Sequence, residues 1–151
     1  MATYLLTWNP EKWKWSELQE SIRILRRNGF WLERWSCGGT KKIRNGDRVF
    51  LIKLGKEPRG IVASGTVVRE PFEAEHWDDA KRAKGELALY IKAKLDTLLD
   101  SAIAMFPYER LMEPVYGGVR WTPQASGVTI PDAVAAVLEA DWKAFVSQLE
   151  K

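Results

Sequence analysis

Two runs of β-forming residues, Arg48 to Leu54 and Ile61 to Val68, are joined by a short turn bounded by Gly55 and Gly60. Parallel strands need a crossover of roughly a dozen residues or more, so a link this short commits the two runs to antiparallel pairing. Asn45-Gly46-Asp47, immediately upstream, is a turn signal that leads into the first run. The chain is thereby organised around a hairpin, and its other elements have to pack on that hairpin.

Thr3 to Thr7 is short and β-rich, and Asn9-Pro10 stops it. Ser16 followed by Gln19 makes a capping-box pattern, Leu18, Ile22 and Leu25 fall at helical spacing, and Gly29 supplies a stop, which together predict a first helix. Phe30 to Trp35 alternates as a half-exposed strand does, with Phe30, Leu32 and Arg34 on one face and Trp31, Glu33 and Trp35 on the other. Pro71 is expected to end the Ile61 run, and Glu73 to Gly85 to form a loop with a helical turn carrying Trp77. Leu87 to Leu98 predicts a long strand with Lys92 and Lys94 facing water, whereas Pro107, Pro114 and Gly117-Gly118 argue for irregular structure over 99–118. Pro131 then opens a closing helix with Val134, Leu138, Trp142, Phe145 and Leu149 on one face. This order implies one α+β domain over residues 1–151, a strongly bent sheet or small barrel of about five to six strands with helices at its ends.

Composition narrows the function classes. Hydrophobic residues make up 46% and charged residues 28% of 151, as in a folded soluble domain, and no apolar run reaches the roughly 18 residues that cross a bilayer. No secretory signal pattern opens the chain, so a cytoplasmic location is the expectation, with no membrane partner. The single Cys37 forms no internal disulfide, and with the single His76 it is too little for a zinc site. Residues 1–69 hold 14 Lys and Arg against 6 Asp and Glu, while residues 70–151 hold 9 against 14, so the first half is the expected phosphate-facing half.

Enzymatic readings find little support. His76 lies in an acidic stretch, and no G-x-S-x-G or comparable nucleophile setting exists. Asp78-Asp79 lacks a second acidic cluster that would make a metal site, and Gly38-Gly39-Thr40-Lys41 lacks phosphate-loop spacing. No catalytic residue, metal or cofactor is expected. Binding fits better, because a base removed from its stack needs an aromatic face, edge hydrogen bonds and backbone amides near its phosphate. Trp8-Asn9-Pro10 and Trp35-Ser36-Cys37-Gly38, each at the exit of a β run, offer these groups. Of the eight tryptophans, Trp13, Trp15, Trp31, Trp121 and Trp142 are assigned to the core, and Trp8, Trp35 and Trp77 to loops that can present them.

Thr7-Trp8-Asn9-Pro10, Trp35-Ser36-Cys37-Gly38, Asn45-Gly46-Asp47-Arg48-Val49, Pro58-Arg59-Gly60-Ile61-Val62 and Trp121-Thr122-Pro123-Gln124-Ala125-Ser126-Gly127 occur in an order and spacing that resembles the EVE domains of the PUA-like superfamily. These domains are relatives of the YTH readers of methylated adenosine in RNA. The resemblance spans nearly the whole chain and is nearest to EVE modules fused to HNH nucleases in modification-dependent restriction enzymes. Many stand-alone EVE proteins carry Lys-Ser-Glu-Pro where this chain has Thr7-Trp8-Asn9-Pro10, which also favours the restriction-linked branch.

The resemblance implies a bent barrel whose pocket receives a flipped, modified cytosine of DNA, methylated or hydroxymethylated. Trp35 then matches the stacking tryptophan, Asn9 the residue at the base edge, and Ser36, Cys37 and Gly38 the backbone that lines the pocket, with Trp8 beside it and Trp77 as a candidate second wall. Lys41, Lys42, Arg44, Lys53, Lys56 and Arg59 are the expected phosphate contacts, joined by Gln124 and Ser126. On this reading Trp35→Ala lowers affinity for modified DNA more than it lowers stability. The partner is duplex DNA, and any cleavage comes from a fused or partner HNH domain. Two alternatives stand beside it: a YTH-like reader of modified RNA, and a PUA-like domain that binds a small molecule or a protein.

Overall fold

A computed structural model describes residues 1–150. The protein is α+β, a mixed seven-stranded sheet with three helices. The strands are β1 (Thr3–Trp8), β2 (Trp31–Ser36), β3 (Arg48–Lys53), β4 (Gly60–Glu75), β5 (Leu87–Leu98), β6 (Phe106–Pro107) and β7 (Val128–Ile130); the helices are α1 (Leu18–Asn28), α2 (Asp79–Ala83) and α3 (Asp132–Leu149). The sheet runs β2-β5-β4-β3-β1-β7, with β6 pairing β4. β3 and β4 pair antiparallel as their short link requires, whereas β1 joins β3 in parallel and encloses α1 and β2 in the crossover.

β1 and β3 are buried on both faces. Tyr4, Leu6, Trp8, Val49 and Leu51 point into a core that α1 covers, and Leu5, Phe50 and Ile52 point into a second core covered by α3. Burial on both sides explains why these strands read as continuous apolar runs rather than alternating ones. α1 ends where expected: Gly29 adopts φ 85 and its N–H donates to the Leu25 carbonyl at 2.7 Å. The capping box does not form, since Glu17 occupies the N-cap and makes no side-chain cap.

One expectation about the middle of the chain is corrected. β4 does not stop at Pro71 but runs through it to Glu75. The pairing with β5 slips between Arg69 and Phe72, so the proline occupies an irregular step where its missing N–H breaks no regular rung. Further shifts at Ser64/Gly65 and Val67/Arg69 bend the same ribbon. Val128–Ile130 is a strand beside β1 that the sequence does not announce. Over 99–118 the chain is irregular apart from β6 and two short 3-10 turns.

α3 is fixed by a polar chain. Trp142 Nε1–H donates to Ser64 Oγ at 2.9 Å, Ser64 Oγ donates to Asp96 at 2.6 Å, and Arg48 bridges Asp96 and Glu139 at 2.5 Å each. Burial alone depresses the Arg48 guanidinium, but the two carboxylates together outweigh it and raise its pKa.

Candidate functional site

Beyond Ser36 and Tyr90, which form the last rung that β5 shares with β2, the strands β4 and β5 continue as a two-stranded arm in which Glu73 pairs Leu89 and Glu75 pairs Leu87. Between this arm and the loops that follow β1 and β2 opens a cleft of about 1610 Å³. Its lining includes Trp8, Asn9, Trp13, Trp35, Ser36, Gly38 and Lys41 on one side, Trp77, Tyr90 and Arg82 on the arm side, and Gln124 and Ser126 from the segment before β7.

Three indoles, Trp8, Trp13 and Trp35, line the floor, and a fourth, Trp15, packs behind them. Trp13 stands edge-on to Trp35 at 5.3 Å and 90°, Trp15 lies against Trp35 at 4.9 Å, and Trp8 meets Trp15 edge-on at 5.4 Å. Each ring contributes large apolar area at preferred aromatic geometry. Trp35 is only 8% exposed and Trp8 7%, although both are among the residues that line the cleft. Their N–H groups are satisfied within the fold, Trp35 Nε1–H by the Thr7 carbonyl and Trp8 Nε1–H by the Trp13 carbonyl. The more open indole is Trp13, which the sequence assigns to the core but the structure places half-buried on the cleft wall. Its position in the loop after Asn9-Pro10, outside any periodic segment, is the signal that marks it.

Asn9 also lines the cleft; its Oδ1 accepts from the Glu11 N–H at 3.0 Å and packs against Gly55, where any Cβ would strike it. Ser36 and Gly38 lie side by side. Gly38 (φ 64) sits against the Ser126 carbonyl and Gly127 (φ 89) against the Cys37 carbonyl, so close that a Cβ on either glycine would collide with facing backbone. The two loops thus meet backbone to backbone, and Ser126 Oγ accepts from the Thr7 N–H at 3.1 Å to tie them to β1. Cys37, between Ser36 and Gly38, is not among the lining residues: its side chain is fully buried, its N–H donates to the Leu89 carbonyl, and burial pushes its thiol up to about 11.

The expected phosphate contacts divide. Lys41, Gln124 and Ser126 line the cleft, but Lys42, Arg44, Lys53, Lys56 and Arg59 do not. Arg44 donates to the Lys41 and Ile43 carbonyls, Lys53 Nζ to the Lys56 and Pro58 carbonyls, and Arg59 to the Gly55 carbonyl, so three of these cations brace their own turns. Burial, then the neighbouring Arg59, lowers the Lys53 pKa. The cleft instead carries Lys12, Arg34, Lys81 and Arg82, which the sequence did not single out. Three carboxylates, Glu73, Glu75 and Asp78, share the arm side. Asp78 caps α2 by accepting the Lys81 N–H, and that bond holds its carboxyl below the ordinary range.

Trp77 follows β4 and is partly exposed at the cleft, its ring 5.2 Å from that of His76. Beside it the Tyr90 hydroxyl donates to the Glu75 carbonyl at 2.6 Å, and the Arg34 guanidinium lies over the Tyr90 ring at 4.2 Å. Among the described residues no group of three or more His, Cys, Asp or Glu could hold a metal, and no helix is long and apolar enough to cross a membrane.

No family model and no curated protein sequence matches the chain. Solved structures do. A hypothetical protein from Leishmania major superposes with a TM-score of 0.62 at 12% identity, covering 95% of this chain and 96% of that one. Structural-genomics proteins from Pseudomonas syringae and Pseudomonas putida superpose with TM-scores of 0.55 and 0.53 at 16% and 17% identity, each covering 92% of this chain and 98% of its own. At such identities the likeness is one of fold.

Proposed function

We propose that this chain is an EVE-type, PUA-like reader that holds an unstacked, modified cytosine of DNA in the indole-floored cleft. It binds rather than catalyses, and serves as the specificity module of a modification-dependent restriction system whose cleavage is supplied by an HNH nuclease domain carried elsewhere. The observation that carries this reading is Trp13, a half-buried ring set edge-on to Trp35 at the base of an open cleft rimmed by Lys12 and Lys41. An aromatic surface with cations at its mouth suits a base and its phosphates. The cleft also exceeds the roughly 300 to 1,000 Å³ of common small-molecule sites, which favours a chain segment over a lone metabolite.

Selectivity for the modification is a matter of one small group. A methyl in an apolar slot contributes about 1 to 3 kcal/mol, so discrimination of roughly tens of fold is expected. Titration of duplexes carrying one central cytosine, 5-methylcytosine or 5-hydroxymethylcytosine tests it, and equal affinity for all three removes the modification from the proposal. Single-stranded methylated RNA binding far more tightly than any of these duplexes would transfer the site to RNA. Trp77→Ala belongs in the same series: if it walls the bound base, affinity falls by about 1 to 3 kcal/mol with the melting temperature unchanged.

A further inference from the structure

The outer face of β2, β5 and β4 carries an uncompensated row of positive charge that begins at the cleft. Arg34 of β2 pairs Lys92 of β5, and Lys92 pairs Arg69 of β4; one rung further from the cleft, Leu32 pairs Lys94. Directly opposed residues on antiparallel strands point to the same side, so these cations share one face with Ser36 and Tyr90, the next rung, which lines the cleft. All four cations are exposed, and none appears in an ion pair among the described residues. Asp96, the nearest acid along the outer face of β5, is engaged by Arg48 and Ser64 under α3.

Three of these cations are held by rings rather than by acids. Arg34 lies 4.2 Å over Tyr90, Arg69 3.6 Å over Phe72, and Lys94 4.7 Å over Phe30. A ring quadrupole positions a cation without neutralising it, so the whole charge stays available. Like charges directly opposite one another, as in Arg34, Lys92 and Arg69, oppose sheet pairing, and this arrangement therefore favours an occupant that is itself anionic and extended.

We infer that this face is a phosphate track: a strand whose modified base sits in the cleft continues over Arg34, Lys92, Arg69 and Lys94. The inference rests on the base-reading proposal for the cleft's occupant, but it names a surface that lies outside the cleft apart from Arg34. It places the main backbone contacts on the β2-β5-β4 face, in place of the turns around Lys42, Lys53 and Lys56.

The test compares a trinucleotide centred on 5-methylcytosine with a single strand of about 15 nucleotides that contains it, for the wild-type chain and for a variant combining Arg69→Gln, Lys92→Gln and Lys94→Gln. Each contacted phosphate adds about 0.7 to the salt slope of single-strand binding. The wild-type chain is expected to bind the longer strand at least roughly tenfold more tightly at low salt, and the variant to bind the trinucleotide normally while losing that gain and about two units of slope. A variant that keeps the gain overturns the track and leaves the cleft reading standing. A gain that vanishes in the variant, combined with no preference for the methylated trinucleotide, upholds the track and overturns the cleft reading. Absence of binding to either strand overturns the track while the duplex titration still decides the cleft reading, and anionic phospholipid vesicles bound in a Lys92- and Lys94-dependent manner without any strand-length effect overturn the track as a nucleic-acid surface.

Discussion

The indole N–H of Trp35 donates to the carbonyl oxygen of Thr7 at 2.9 Å, joining the exits of two strands that are not neighbours in the sheet. Trp35 is therefore both a wall of the cleft and a brace of the fold. Trp35→Ala is expected to cost about 3 to 5 kcal/mol of stability, as large buried aromatics do, which reverses the sequence-based expectation that binding would suffer more. Trp13→Ala separates the two roles: thermal unfolding should shift little while affinity for modified DNA drops. A Trp13 variant that binds as the wild-type chain does would remove that ring from the site.

Gly127→Ala is expected to destabilise the protein by at least about 1 to 2 kcal/mol, the cost of a left-handed alanine, with further loss from contact with the Cys37 carbonyl. Gly29→Ala is the control. It is equally left-handed, but its Cβ would meet nothing within 4 Å. Chemical denaturation of both variants checks the point, and equal losses would show that the loop seam adds nothing.

Ser64→Ala should leave the buried Trp142 N–H without an acceptor and cost about 1 to 3 kcal/mol. A lower urea midpoint at unchanged slope is the expected signature. An unchanged midpoint would mean that the Trp142–Ser64 bond adds nothing to the hold on α3.

Glu33 supplies a pH dependence. Burial raises its carboxyl above the ordinary 4.5, against the lowering effect of the bond from Trp31 Nε1–H. The folded chain then holds this proton more tightly than the unfolded chain, so stability falls as pH climbs from the unfolded value through the raised folded one. Glu33→Gln is expected to raise the melting temperature at pH 7 and to lose that advantage in acid below the unfolded pKa of about 4.3. A gain of the same size at both extremes would rule out this titration as the cause.

Local rules carried the elements they govern. The β3-β4 hairpin, the Gly29 stop and the Leu87–Leu98 strand follow from turn chemistry and alternation, which act within a few residues. What the sequence hid depends on long-range contact: β7 exists because β1 offers it an edge, and Pro71 is tolerated because the pairing slips beside it. The same divide applies to the site. Asn9, Trp35, Ser36 and Gly38 were legible as strand exits, whereas Arg34 lines the cleft beside Tyr90, a residue of the neighbouring β5 that is far away in sequence. That the Cys37 side chain is fully buried was not legible, because the β5 residue Leu89 that its backbone meets lies far away in sequence.

Where Gly38 meets Ser126 and Gly127 meets Cys37, the two loops approach so closely that neither glycine has room for a side chain. Gln124 and Ala125 beside it are exposed and face the opening. Exchange of these two residues can therefore recut the shape of the guest while the hinge-free rim that frames it stays as it is.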